Sequence, residues 1–183
     1  MTAPDKSKGS RRQGRTLAFQ VIFGLAFAPS FKIDQVSLRQ TFADNPAVMD
    51  CEGEEALAFA SQLFMGICEH LDDIDKVIGK HSDHWKIGRI GKVELAILRL
   101  ALFEILYRQD IPLKVAINEA IELAKGFGDE NSRAFVNGIL DAVARAVDQG
   151  RFNAVDKKID KKPEVKDDKP IIRKADKKAD TAK

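Results

Sequence analysis

Long apolar runs are missing from this sequence. No stretch reaches the roughly 18 residues that a membrane-spanning helix requires. Cysteine is nearly absent: Cys51 and Cys68 are the two in 183 residues. They fit no zinc spacing and no disulfide framework, which suits a reducing cytosol. No segment alternates apolar and polar residues with period two, so strands are not expected. Catalytic signatures are missing as well. There is no GxSxG elbow and no GxxxxGKS or GxxxxGKT loop. The run GRIGKVE holds a Gly-Lys pair but lacks the earlier glycine and the hydroxyl. His81 and His84 are spaced to share one helical face, while Cys68 and His70 diverge on a helix. A closed zinc site needs four convergent ligands. The histidines therefore read as surface residues of a divider between two halves, and no metal, cofactor or enzymatic chemistry is implied.

What is present is segregated charge. The net charge is +2, but residues 1–15 carry +4 and residues 156–183 carry +4, leaving −6 on the body between them. A mildly acidic body with two basic ends points to local attraction for a polyanion. The amino end, KSKGSRRQGRTLAFQVIFGLAFAPS, sets five cations (Lys6, Lys8, Arg11, Arg12 and Arg15) against an apolar run ending Ala-Phe-Ala. That pattern also describes a secretory signal. Gln20 inside the run and apolar residues set as helical stripes argue instead for an arginine-rich arm leading into a core helix. A transit peptide would remove residues that the core needs. Arginines at a helix start oppose the dipole, and a bound anion would compensate them. Arginine-rich arms neutralise phosphate and stack on unpaired bases; a solvated basic helix tip is the simpler alternative.

The hydropathy pattern predicts an all-α fold. Leu17, Val21 and Leu25 fall four apart within a helix over 12–28, which Pro29-Ser30 stops. A shorter helix is expected over 33–42 and a longer one over 52–71, capped by Asp50. Residues 72–80 either continue it or begin a new turn. Lys92–Arg108 is apolar almost all round, with Glu94, Arg99 and Glu104 five apart. Five steps turn a helix by 500°, so these charges point in three directions and each must find a partner or an edge. Pro112 suits the first turn of the next helix, which runs to about Lys125 and exposes Asn118 and Glu119. Asn131 or Ser132 caps a last helix to about Val147. Asn137-Gly138 suggests close approach of two helices. The expected organisation is a disordered basic arm at 1–10, an N-terminal bundle at 11–85, a C-terminal bundle at 86–150 and a disordered Lys/Asp-rich tail at 151–183.

The run KVAINEAIELAKGFGDENSRAFVNGILDAVAR (114–145), together with VELAILRLALFEILYR and RRQGRTLAFQVIF, strongly resembles the NusB family of transcription antitermination factors. The likeness spans about 11–148 and is loose between 30 and 85. It implies two packed three-helix bundles, about seven helices in all, and no enzymatic activity. It implies pairing with NusE, a small-subunit ribosomal protein, and binding of the single-stranded boxA element of ribosomal RNA leader transcripts in the bacterial cytoplasm, so that RNA polymerase passes terminators. The family's arginine-rich motif maps onto Arg11, Arg12 and Arg15, with Gln13 and Gly14 inside it. Its second RNA-contacting element maps onto Asn131, Ser132, Arg133, Ala134 and Phe135. Ala134 stands where lysine is expected and Asn131 where aspartate is expected. Glu94 matches a partner-facing glutamate. Two further readings remain: a helper in ribosomal RNA modification, and a helical protein scaffold with no RNA role.

Overall fold

Apolar side chains at three- and four-residue spacing build each helix and turn it inward. Leu17, Ala18, Val21 and Ile22 are all buried on one side of α1 (Lys6–Leu25). The computed structural model describes residues 6–27, 34–82 and 86–150. Every regular element among them is helical. After α1 come α2 (Gln35–Ala43) and the single turn α3 (Pro46–Met49), capped by Asp34 and Asn45. Then follow α4 (Glu54–Glu69) and α5 (Leu71–His81). A 3-10 turn at Ile87–Arg89 leads into α6 (Lys92–Tyr107), α7 (Leu113–Phe127) and α8 (Ser132–Asp148).

The all-α expectation holds, with seven helices of nine residues or more besides α3. Several local expectations do not. Helix α1 begins at Lys6, so residues 6–10 are helical rather than a disordered arm. Asp50 ends α3 instead of capping α4, whose N-cap is Gly53. Residues 72–80 form their own helix, and α5 packs chiefly on α6 and α8. A boundary at residue 85 therefore cuts across the packing. The chain turns at His70, which ends α4 and starts α5. Its ring stacks on Tyr107 at 3.9 Å, so it is half-buried and not a surface histidine. His81 is also half-buried. Gly138 faces open space, and no helix approaches it closely. The expected stop at Pro29-Ser30, residues 1–5, His84 and the 151–183 tail lie outside the described residues.

One continuous core joins the two halves, from Leu17 on α1 through Phe64 on α4 and Leu98 on α6 to Leu140 on α8. Helix α1 is the link, packing on both α4 and α6. Two glycines permit the close crossings. A Cβ at Gly14 would stand 2.8 Å from the Ala56 carbonyl oxygen and 2.9 Å from the Phe59 ring. The Phe103 ring lies against Gly66, where a Cβ has no room. The direction of α1 is fixed by paired contacts. Arg15 meets Glu104 while Phe27 meets Lys92, so α1 runs antiparallel to α6. Arg12 meets Glu119 while Phe19 meets Phe127, so α1 runs parallel to α7.

Candidate nucleic-acid interface

The three arginines of α1 have three different environments. Arg15 is 4% exposed, and its Nε donates to both carboxylate oxygens of Glu104, at 2.8 and 3.2 Å. Glu104 is itself 1% exposed. Burial raises the Glu104 carboxyl above the ordinary range, and the charge and hydrogen bond of Arg15 pull it back. Arg15 is therefore an internal tie between α1 and α6, withdrawn from any phosphate outside. Arg12 is different: its side chain is 62% exposed. Its Nε and NH2 donate to the two oxygens of Glu119 at 3.1 and 2.8 Å, a bidentate fork to α7. That hydrogen bond, and then the charge of Glu119, raise the Arg12 guanidinium. Arg11 is half exposed, 3.8 Å from Asp110 in the α6–α7 turn.

The second predicted element lies at the start of α8. Asn131 and Arg133 are exposed, and Phe135 is half-buried against the core. Neither Asn131 nor Ser132 caps the helix through its side chain. Asp129 does so: its Oδ1 accepts from the Asn131 and Ser132 backbone N–H groups at 2.8 and 2.9 Å. The Ser132 hydroxyl first, and then these backbone bonds, hold the Asp129 carboxyl below its usual range. The sequence offered a signal, since Asp two or three residues before a helix start is a capping residue.

Glu94 does not extend outward alone. Its carboxylate meets the buried Ser132 hydroxyl, so it bridges the starts of α6 and α8. The same hydroxyl lies 2.9 Å from Asp129 Oδ1 and accepts from the Asp129 N–H at 2.8 Å. A hydroxyl has one proton, so it donates to one of the two carboxylates at a time. The other two charges of α6 are also paired. Arg99 forms a fork with Asp75 at 2.9 and 2.8 Å, and Glu104 takes Arg15.

Along α7, Arg12 meets Glu119 and the α8 start follows the far end at Phe127; along α6, the arginines stand by Glu104 and Asp110 while the α8 start stands by Glu94 at the other end. Phe127, at the end of α7, touches Phe19 at 4.7 Å between ring centres. It lies eight positions after Glu119, or roughly 12 Å at 1.5 Å per residue. Beside it runs an aromatic row, Phe19, Phe23 and Phe27, of which the last two lie on the second stripe of the helix. Phe27 is 60% exposed and carries Lys92 Nζ 3.6 Å above its ring. Elsewhere, a cavity of about 110 Å³ is lined by Ile22, Leu25, Ile67, Cys68 and Leu71. Burial pushes the Cys68 thiol up to about 12. Among the described residues, no three His, Cys, Asp or Glu side chains gather as a metal ion would require, and no helix is long and apolar enough to cross a membrane.

The NusB family model matches residues 12–145. The transcription antitermination protein NusB of Nitratidesulfovibrio vulgaris (strain DP4) is 50% identical over 141 residues, covering 76% of this chain and 91% of that protein. The NusB of Myxococcus xanthus (strain DK1622) is 42% identical over 136 residues, covering 74% and 95%. Among solved structures, NusB of T. maritima aligns with a TM-score of 0.66 at 35% identity, over 79% of this chain and 93% of that one. A chain from a crystal structure of antitermination factors NusB and NusE in complex with double-stranded RNA aligns with a TM-score of 0.64 at 25% identity, over 75% and 98%. Helix order, the arginine-bearing α1 and the match over more than half the sequence agree: this chain belongs to the NusB family of transcription antitermination proteins.

Proposed function

We propose that the chain is a non-catalytic antitermination factor of the bacterial cytoplasm that pairs with NusE and binds boxA-type single-stranded RNA of ribosomal RNA leader transcripts. The complex then acts on the elongating RNA polymerase. The observation that carries this reading is the placement of Arg11 and Arg12. Both are exposed cations on the helix that runs beside α7 toward Asn131 and Arg133. Arg11 and Arg12 neutralise phosphate, and Asn131, Arg133 and the half-buried Phe135 meet splayed bases. Arg15 positions α1 from inside. Glu94 sits at the partner-facing edge, where its bond to Ser132 joins that edge to the first turn of α8. The related complex of NusB and NusE with double-stranded RNA supports NusE and RNA as the partner classes.

Copurification with NusE, followed by titration of a boxA-like strand, a scrambled strand and a duplex, tests the reading. The boxA-like strand should bind tightest, and more tightly with NusE present. Replacing Arg11 or Arg12 by Gln should each flatten the dependence of log K on log salt by about 0.7, the loss of one phosphate contact on a single strand. Equal binding of all three nucleic acids, or an unchanged salt slope, would refute it.

A further inference from the structure

The geometry points to an additional phosphate site for the single strand, formed by Arg11 and Arg108, in which Asp110 occupies the phosphate position until RNA displaces it. This inference rests on the RNA-binding reading above. Arg108 was not among the predicted contacts. Its Nε and NH2 donate to the two oxygens of Asp110 at 2.8 and 3.0 Å, the fork geometry that guanidinium also presents to phosphate. Arg11 approaches the same carboxylate from α1, with NH1 3.8 Å from Oδ2. Both guanidinium groups lie near one aromatic ring, 5.5 and 5.4 Å from the centre of Phe59. A third contact, from Arg108 NH1 to Gln62 Oε1 at 3.4 Å, comes from α4. Two cations from different helices thus converge on one anion that is 47% exposed.

The carboxylate is not needed to shape its own turn. The backbone closes it, with Ile111 N–H donating to the Arg108 carbonyl at 2.9 Å and Arg108 N–H to Glu104 at 3.1 Å. Asp110 is thus held by the cations, and its carboxyl is depressed chiefly by the Arg108 hydrogen bond. Exposed ion pairs contribute little net stability. Exchanging this carboxylate for a backbone phosphate keeps every donor of the fork satisfied. Arg12, one residue from Arg11, is a further exposed cation beside it, while Arg108 is 20% exposed. Asp110 then sets affinity from within the chain, competing for the cations that the strand requires.

The test is titration of the full chain with a boxA-like single-stranded RNA at several salt concentrations. Asp110→Asn should raise affinity by roughly 1.5- to 5-fold, the range open when one exposed ionic competitor is removed. Arg108→Gln should lower affinity, flatten the salt slope by about 0.7 and abolish the gain from Asp110→Asn in the double variant. Glu69→Gln, which removes the same charge at the far end of α4, should change affinity less. Equal gains from Asp110→Asn and Glu69→Gln, or a gain that survives without Arg108, would overturn the site. So would unchanged or lower affinity of an Asp110→Asn variant whose thermal unfolding matches the parent. A parent chain that binds the duplex and the single strand alike overturns the RNA reading first, a result distinct from failure of this site alone.

Discussion

Arg15 and Glu104 illustrate how a residue type predicted for one role is used for another. An arginine in a basic motif was expected on a phosphate; its guanidinium is instead buried on a carboxylate. Removing one member of a buried pair leaves the other charge without compensation. Arg15→Met should therefore cost about 3–5 kcal/mol, read by urea denaturation. The loss has a pH signature. Burial already raises the Glu104 carboxyl, and without Arg15 it rises further. A raised folded value favours the folded state below the unfolded carboxyl range and withdraws that support as pH climbs through the folded value. The variant should be less impaired at pH 5 than at pH 8; equal loss at both would show that Glu104 does not feel Arg15. Arg12→Gln contrasts with it. That side chain is exposed, so stability should change by less than about 1 kcal/mol while RNA binding weakens.

Helix α1 depends on Gly14 as much as on its apolar stripe. Within the arginine motif Gly14 reads as one cation too few, yet it is the point where α1 crosses α4 against a carbonyl oxygen. Gly14→Ala should destabilise by about 1–3 kcal/mol, seen as a lower urea midpoint, because backbone on both sides must move. The helices themselves were legible because 3.6-residue periodicity is a local property. So was the need of the three α6 charges for partners. The partners were not: Asp75, Ser132 and Arg15 lie 24, 38 and 89 residues from Arg99, Glu94 and Glu104, and tertiary packing alone brings them together. The break between α4 and α5 was ambiguous because no proline or glycine marks it, and a stack on Tyr107 holds it. Arg11, Arg12, Asn131 and Arg133 were legible as exposed polar groups, whereas Arg108 was hidden at the end of an apolar helix. Asp129→Ala tests the missed cap. It should lower the thermal midpoint and reduce RNA affinity together, since the first turn of α8 carries Asn131 and Arg133.

Both halves share one core, and α1 enters it from the amino end, so the molecule should unfold as a unit. Leu17, Ala18, Phe19, Val21 and Ile22 of α1 are all buried against α4, α6 and α7. A chain cleaved after Ala28, as the signal-peptide reading would require, loses these five side chains and the partner of Glu104 together. The remaining helices would expose apolar faces of α4 and α6 and keep a buried carboxylate without its cation. The helical signal of such a fragment should persist in part while the cooperative transition disappears. The intact chain should lose the signal of Tyr107, which stacks on His70, and its total helicity at one denaturant midpoint. Two separated midpoints in the intact chain, or a sharp transition in the fragment, would mean that the halves are independent domains. In that case α1 could be shed without unfolding the C-terminal bundle, and the arginines would be carried on a detachable segment rather than fixed beside α7.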